Sequence, residues 1–277
     1  MNNDFFDNIF DRIAGNVPEP ITETYTAADG VKHCANCGGA LQTVVEFNGV
    51  QKFVSCICKC EKERRDKEQR EKEAAQRRTM SRLLAFHDDV MKNWTFEHDN
   101  GNNPRIFAAL KNYVANFETL RADGHGLLLY GNVGTGKTYA AASIANALID
   151  RDYSVLMTNF SRITNDLQES FNGRNKKIDR LNDNDLLIID DLAAERQTDY
   201  MNEIIYSVID ARYRINKPFI ITTNLTMDCF KNPPNVATAR IYDRIIEKCF
   251  PIEVNGVSQR RAKIAAEYND IKNILGL

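Results

Sequence analysis

The chain reads as an α/β protein with a five-stranded parallel sheet covered by helices, preceded by a small N-terminal module of zinc-ribbon type. Three observations predict this. Short apolar runs at 127–130, 155–158, 186–190, 219–223 and 251–254 alternate with helical stretches, a pattern that gives a parallel sheet buried on both faces. The glycine-rich stretch Gly131-Asn132-Val133-Gly134-Thr135-Gly136-Lys137-Thr138 follows the first run and opens a helix. Five cysteines cluster between residues 34 and 60. The expected organisation is a zinc- and partner-binding module at 1–60, a charged helical linker at 61–80 and a nucleotide-binding domain at 81–277.

Composition narrows the class. The 277 residues are 43% hydrophobic, enough for a sizeable core. Residues 1–80 hold 12 Lys/Arg against 13 Asp/Glu, so this part and the remainder each carry a net charge of −1. Any nucleic-acid contact must therefore come from a local patch rather than a basic domain. No apolar run approaches the ~18 residues of a membrane span. The acidic start, Met1 to Asp7, lacks the basic end of a secretion signal. The expectation is a cytoplasmic protein without a membrane partner, where cysteines serve metal or stay reduced.

At the N-terminus, Phe6, Ile9, Phe10 and Ile13 recur at helical spacing between acids. Such an amphipathic helix docks on a partner protein or packs on its own zinc module. Residues 17–30, with Pro18, Pro20 and Gly30, read as a loop. Cys34-Ala35-Asn36-Cys37 then precedes two strand-like runs joined by Asn48-Gly49, a strong hairpin signal. The second run leads into Cys56-Ile57-Cys58-Lys59-Cys60. A hairpin of this kind brings two cysteine pairs together around tetrahedral Zn²⁺. Cys34, Cys37, Cys58 and Cys60 are the preferred ligands, since Cys58 and Cys60 share one face of an extended strand. Cys56 shares that face too, and His33 is a further candidate. A module of this size has too little core to fold without the metal.

From Glu61 to Arg78 acids and bases alternate, with acid-before-base pairs four residues apart such as Glu61/Arg65 and Glu68/Lys72. That is a solvated single helix. Trp94-Thr95-Phe96-Glu97 forms an aromatic spot, and 106–120 has helical periodicity.

The eight residues 131–138 fit Gly-x-x-x-x-Gly-Lys-Thr without mismatch. Glycines let the backbone N–H groups converge into an anion nest, and the helix N-terminus adds positive potential. Lys137 reaches the β- and γ-phosphates of a nucleoside triphosphate, and Thr138 holds Mg²⁺. The apolar run Leu186-Leu187-Ile188-Ile189 ends in Asp190-Asp191. Asp190 would help hold Mg²⁺ and Asp191 would polarise the attacking water. Asn224, at the tip of 219–223, is placed to orient that water, although Asn is also an ordinary turn residue. Arg240 and Arg244 lie on one helix face, offered either to the γ-phosphate of a neighbouring subunit or to surface acids such as Asp243 and Glu247. Arg260 follows the fifth run and is suited to reach the phosphates of its own chain.

In this order the residues resemble the AAA+ ATPases, and most closely the DnaC/DnaI-type replicative-helicase loaders with their IstB-type transposition relatives. The resemblance covers 81–277, and the cysteine hairpin is similar to the zinc modules of one loader branch. It implies ATP as nucleotide. It assigns Gly131 to Thr138 as Walker A, Asp190 and Asp191 as Walker B, and Asn224 as sensor 1. It further implies Arg244, with Arg240 beside it, as arginine finger and Arg260 as sensor 2. It implies contacts to single-stranded DNA at the positions of Phe171, Thr198 and Tyr200. An aromatic there can stack on bases, while Phe171 fits core packing equally well. Two departures stand out. Asp191 replaces the more common Glu, which implies slow hydrolysis, and Ala193 stands where the loaders usually have Gly. Only 17 residues follow Arg260, too few for a full helical lid. The implied function is ATP-dependent loading of a replicative helicase onto single-stranded DNA by a self-associating ATPase. The alternatives are a transposition helper and an ATP-gated adaptor that does not depend on hydrolysis.

Overall fold

The computed structural model describes residues 23–47, 49–168, 174–192 and 199–275. The stretch 4–13, Asn48, Phe171, Ala193 and Thr198 lie outside them, as does the side chain of Arg260. Two compact units are present, Met1–Gln76 and Arg77–Leu277. No helix of the described residues is long and apolar enough to cross a membrane.

The first unit is built from two antiparallel strand pairs. β1 (Thr24–Thr26) pairs with β2 (Lys32–Cys34), so the stretch read as a loop contains a short strand, followed by a turn at 28–30. β3 (Gln42–Phe47) pairs with β4 (Val50–Ser55), with Phe47 opposite Val50. That register leaves two residues for the turn, and Gly49 takes the positive φ of 76° that such turns demand. One expectation is corrected here. Cys58 and Cys60 do not share an extended strand. β4 ends at Ser55, and Cys60 lies in the first turn of helix α1 (Lys59–Ala85). The charged run after Cys60 consists of strong helix formers, and they start the helix early. Glu61, buried in that first turn, takes Arg64 and Arg65 at 2.6–3.0 Å. The two guanidiniums hold its carboxyl down at about 2.

In the second unit, the periodicity at 106–120 resolves into two helices, α2 (Pro104–Ala115) and α3 (Phe117–Ala122), broken at Asn116. Strand–helix alternation then follows: β5 (Gly126–Tyr130), α4 (Lys137–Ile149), β6 (Val155–Asn159), α5 (Phe160–Gln168), α6 (Arg174–Asp183) and β7 (Leu186–Leu192). After these come α7 (Asp199–Arg214), β8 (Phe219–Thr223), α8 (Met227–Lys231), α9 (Val236–Lys248), β9 (Cys249–Glu253) and α10 (Gln259–Leu275). The five strands form one parallel sheet in the order β6-β7-β8-β5-β9. β9 starts at Cys249, two residues earlier than the sequence suggests, because Cys249 both caps α9 and pairs with Gly126. Its Pro251 is tolerated because β9 is an edge strand.

Both faces of the sheet are covered. On one, the alanines of α4 (Ala140, Ala141, Ala142 and Ala145) let the helix pack closely on Leu127 and Leu129. On the other, Phe160, Ile163, Ile204, Val208, Ile241 and Ile245 cover Leu128 and Ile189. Gly126 is required by proximity, since a Cβ there would lie 1.7 Å from the Phe219 carbonyl oxygen.

The entrances of β7 and β8 are tied by one charge. Arg212 of α7 is completely buried. Its guanidinium donates to the carbonyls of Asn182, Asn184, Asp185 and Pro218 at 2.8–3.2 Å. Burial pulls the guanidinium down to about 10, so it stays charged at neutral pH. Removing it would leave several buried carbonyls short of donors, each costing roughly 1–3 kcal/mol. Arg212→Met should destabilise the second unit by about 3 kcal/mol, measured by urea unfolding.

Candidate nucleotide site and cysteine cluster

Gly131, Gly134 and Gly136 all have positive φ, at 140°, 83° and 99°. Two of them are also needed for close approach. A Cβ on Gly131 would lie 2.6 Å from the Val254 carbonyl, and one on Gly134 would lie 2.2 Å from Ser258 Oγ. The loop is thus wedged against the segment between β9 and α10, and the Gln259 N–H donates to the Gly134 carbonyl at 2.8 Å. Thr135 closes the loop internally by donating to Asn132 O at 2.9 Å, while Val133 is exposed at the rim. Gly136 caps α4 in the left-handed conformation, aiming the helix N-terminus into the loop.

Lys137 is 5% exposed. Its Nζ donates to the carbonyls of Gly131 and Asn132 at 2.9 and 2.8 Å and to Asn224 Oδ1 at 2.7 Å. Asn224 Nδ2 in turn lies 3.5 Å from Asp191 Oδ1. The lysine, the amide and the second acid therefore form one chain across three strand ends. Asp190 accepts from Thr222 Oγ1 at 2.5 Å, and the Thr138 hydroxyl lies near enough to favour its charged form. Burial pushes the Asp190 carboxyl up, reinforced by the charge of Asp191 and opposed by Thr222, Thr138 and Lys137. A carboxylate buried beside the Thr138 hydroxyl suits Mg²⁺, which stabilises the charged form.

Consecutive residues of a strand point to opposite faces, yet both acids belong to this site. The pairing of β7 with β8 explains it. Ile189 pairs with Ile221 and Leu192 with Thr223, so β7 carries one extra residue. This bulge falls on Asp190 and Asp191, and Asp191 adopts φ 58°. A left-handed non-glycine costs about 1 kcal/mol, least for Asp or Asn.

Beside the loop lies a cavity of about 300 Å³. Trp94, His98, Asp99, Asn100 and Phe107 line it opposite Lys137 and Thr138. Asn146 of α4 holds this wall in place by donating to the carbonyls of Met91 and Trp94, both at 2.9 Å. Tyr139 donates to Thr95 O at 2.7 Å. Asn100 donates to Gln259 Oε1 at 2.9 Å, joining the wall to α10. Of the wall itself the sequence singled out only the aromatic spot at 94–97. The others carry no motif, and only the fold brings 94–107 over the loop.

The two arginines of α9 differ. Arg240 is exposed and makes no ion pair with a described residue. Arg244 Nη2 lies 2.6 Å from Asp210 Oδ1, and its guanidinium sits 4.6 Å from the Tyr206 ring centre. Asp210 and Tyr206 lie on one face of α7 and hold Arg244 within its own chain. The surface acids Asp243 and Glu247 are not its partners among the described ion pairs. Tyr200 is exposed in the first turn of α7.

In the first unit, the sulfurs of Cys34, Cys37, Cys58 and Cys60 all lie within 4.8 Å of one another. Cys34 and Cys58 are 3.6 and 3.3 Å from Cys60. Four thiolates around Zn²⁺, at about 2.3 Å each, stand about 3.8 Å apart, so the set fits the ion. Cys56 donates to the Ala40 carbonyl at 3.4 Å, and His33 Nδ1 is 3.0 Å from Gly38 O. Neither belongs to the cluster. Metal analysis of purified protein should find one Zn²⁺ per chain. Cys37→Ser should lower that content and Cys56→Ser should leave it unchanged.

Comparison with known proteins agrees with the site. Residues 38–266 match the family described as IstB-like ATP binding protein. The phage-like element PBSX protein XkdC of Bacillus subtilis (strain 168) is 29% identical over 217 residues, spanning 76% of this chain and 77% of that protein. The replicative helicase loader DnaI of the same organism is 29% identical over 149 residues, spanning 50% of this chain but only 48% of the loader. A crystal structure of DnaI superposes with a TM-score of 0.54 at 27% identity, over 65% of this chain and 98% of that one. With the phosphate loop, the paired acids and the sheet order in place, the chain belongs to the IstB-like ATP-binding protein family.

Proposed function

We propose that this protein is an ATP-dependent loader that places a replicative DNA helicase onto single-stranded DNA. The observation that carries the ATPase part is the chain of contacts Lys137–Asn224–Asp191 across three strand ends. The likeness to DnaI supports the loader part.

In this reading Lys137 and the N–H groups of 131–138 hold the triphosphate, and Thr138 and Asp190 hold Mg²⁺. Asn224 orients a water against the γ-phosphorus. Asp191 takes its proton as the bond to the β,γ-bridging oxygen breaks, giving ADP and phosphate. Arg244 or Arg240 approaches the γ-phosphate of a neighbouring copy, and Arg260 serves its own chain. The exposed Arg240 reaches outward without rearrangement, whereas Arg244 must first leave Asp210. Phe171, Thr198 and Tyr200 contact single-stranded DNA. The module at 1–60 grips the helicase, the stretch 61–80 links it, and 81–277 is the motor. A transposition-helper role is the second reading, favoured by the likeness to a putative ATP-binding protein in an insertion sequence of Mycobacterium tuberculosis; it requires an ATPase response to a transposase.

Lys137→Ala should weaken ATP binding by about tenfold or more and abolish turnover, read by fluorescent-nucleotide titration and phosphate release. Mixed with the replicative helicase and ATP, the protein should co-elute on size exclusion and stimulate helicase loading. The absence of both a complex and stimulation would sink the loader reading. Wild-type turnover no higher than that of Lys137→Ala would leave an ATP-gated adaptor.

A further inference from the structure

β8 ends in Thr222-Thr223, with Asn224 just beyond it, and both threonines are completely buried. Valine has the same shape and would be the cheaper choice in a dry sheet, because a buried hydroxyl must find partners. These hydroxyls find them on the bulge of β7. Thr222 Oγ1 donates to Asp190 Oδ1 at 2.5 Å and accepts the Asp191 N–H at 2.9 Å. Thr223 Oγ1 donates to the Leu192 carbonyl at 2.8 Å and accepts the Leu225 N–H at 3.1 Å. The regular pairing of β7 with β8 is interrupted between Ile189 and Leu192. There the threonine hydroxyls stand in for the missing backbone partners.

We propose that Thr222 is a positioning residue for ATP hydrolysis, and this rests on the ATPase reading above. Its one hydroxyl serves both acids in opposite senses. As donor it fixes the Asp190 carboxylate beside Thr138. As acceptor it locks the left-handed turn at Asp191, which aims that carboxylate at Asn224. Without the acceptor, Asp191 loses a bond that holds φ at 58°, and the extended conformation would carry its carboxylate away from Asn224. Nucleotide binding belongs to the loop at 131–138, with which Thr222 makes no described hydrogen bond.

The test uses the full chain and compares wild type with Thr222→Val, Thr222→Ser, Thr222→Cys and Lys137→Ala, measuring fluorescent-ATP affinity and steady-state turnover. Thr222→Val should lower kcat about tenfold or more while the ATP Kd and KM stay within about threefold. Thr222→Ser, which keeps the hydroxyl, should recover most of the rate. Should the valine variant not fold, the cysteine variant, a weak donor of similar volume, should fall between serine and valine-like inactivity. Wild-type kcat in Thr222→Val or Thr222→Cys overturns the proposal. So does an equal loss in the serine variant, or a parallel loss of ATP affinity, either of which marks a general packing role. If wild type turns over no faster than Lys137→Ala, the ATPase reading fails and the positioning role falls with it. A wild type that clearly exceeds Lys137→Ala confines any failure to Thr222.

Discussion

Every group in the nucleotide site depends on β8 lying between β7 and β5. In sequence, β8 comes after both, separated from β5 by the helices and strands from 137 to 214 and from β7 by α7. In space, its insertion places Asn224 between Lys137 at the end of β5 and Asp191 at the end of β7. Ligands of parallel sheets gather at the carboxyl ends of strands, and here three such ends meet. Were β8 at the edge instead, the loop and the acids would be neighbours with no amide between them. The fully apolar body of β8, Phe219-Ile220-Ile221, suits a central strand covered on both faces.

How much of this could be read from the chain follows from the range of each interaction. The loop at 131–138 was legible because its chemistry is local: glycines for φ, a lysine and a threonine at fixed offsets. The strands were legible because burial on both faces makes them uniformly apolar, although β9 began earlier than its hydrophobicity suggests, for a reason of pairing with Gly126. The cysteine set was legible as residue types but not as geometry, since the competition between strand and helix at 56–60 was settled by the charged run beyond. The wall at 94–107 was nearly silent, because Asn146 and Tyr139 hold it from forty or more residues away. The bulge at Asp190 and Asp191 could not be seen at all. Two adjacent acids at a strand end give no sign that one is left-handed.

The arginines of α9 show the same limit from the other side. Their spacing announces one helix face, but not that α7 offers that face an acid and an aromatic ring. Arg244 is therefore held by Asp210 and Tyr206 while Arg240 stands in solvent. Cation–aromatic contact and a half-buried carboxylate together make a firm hold. α7 is the next described element after β7, so the helix that holds Arg244 follows in sequence the strand that carries the two acids.

Arg212 carries a different implication. All its described hydrogen bonds end on main-chain oxygens. A contact of that kind is indifferent to the side chains it passes, so drift at those neighbours leaves it intact while drift at Arg212 itself does not. Constraint and freedom are thus separated onto different residues of one interaction. Divergent relatives could replace Asn184 without disturbing this staple, yet have no conservative exchange for the arginine, since no other side chain presents five donors in one plane.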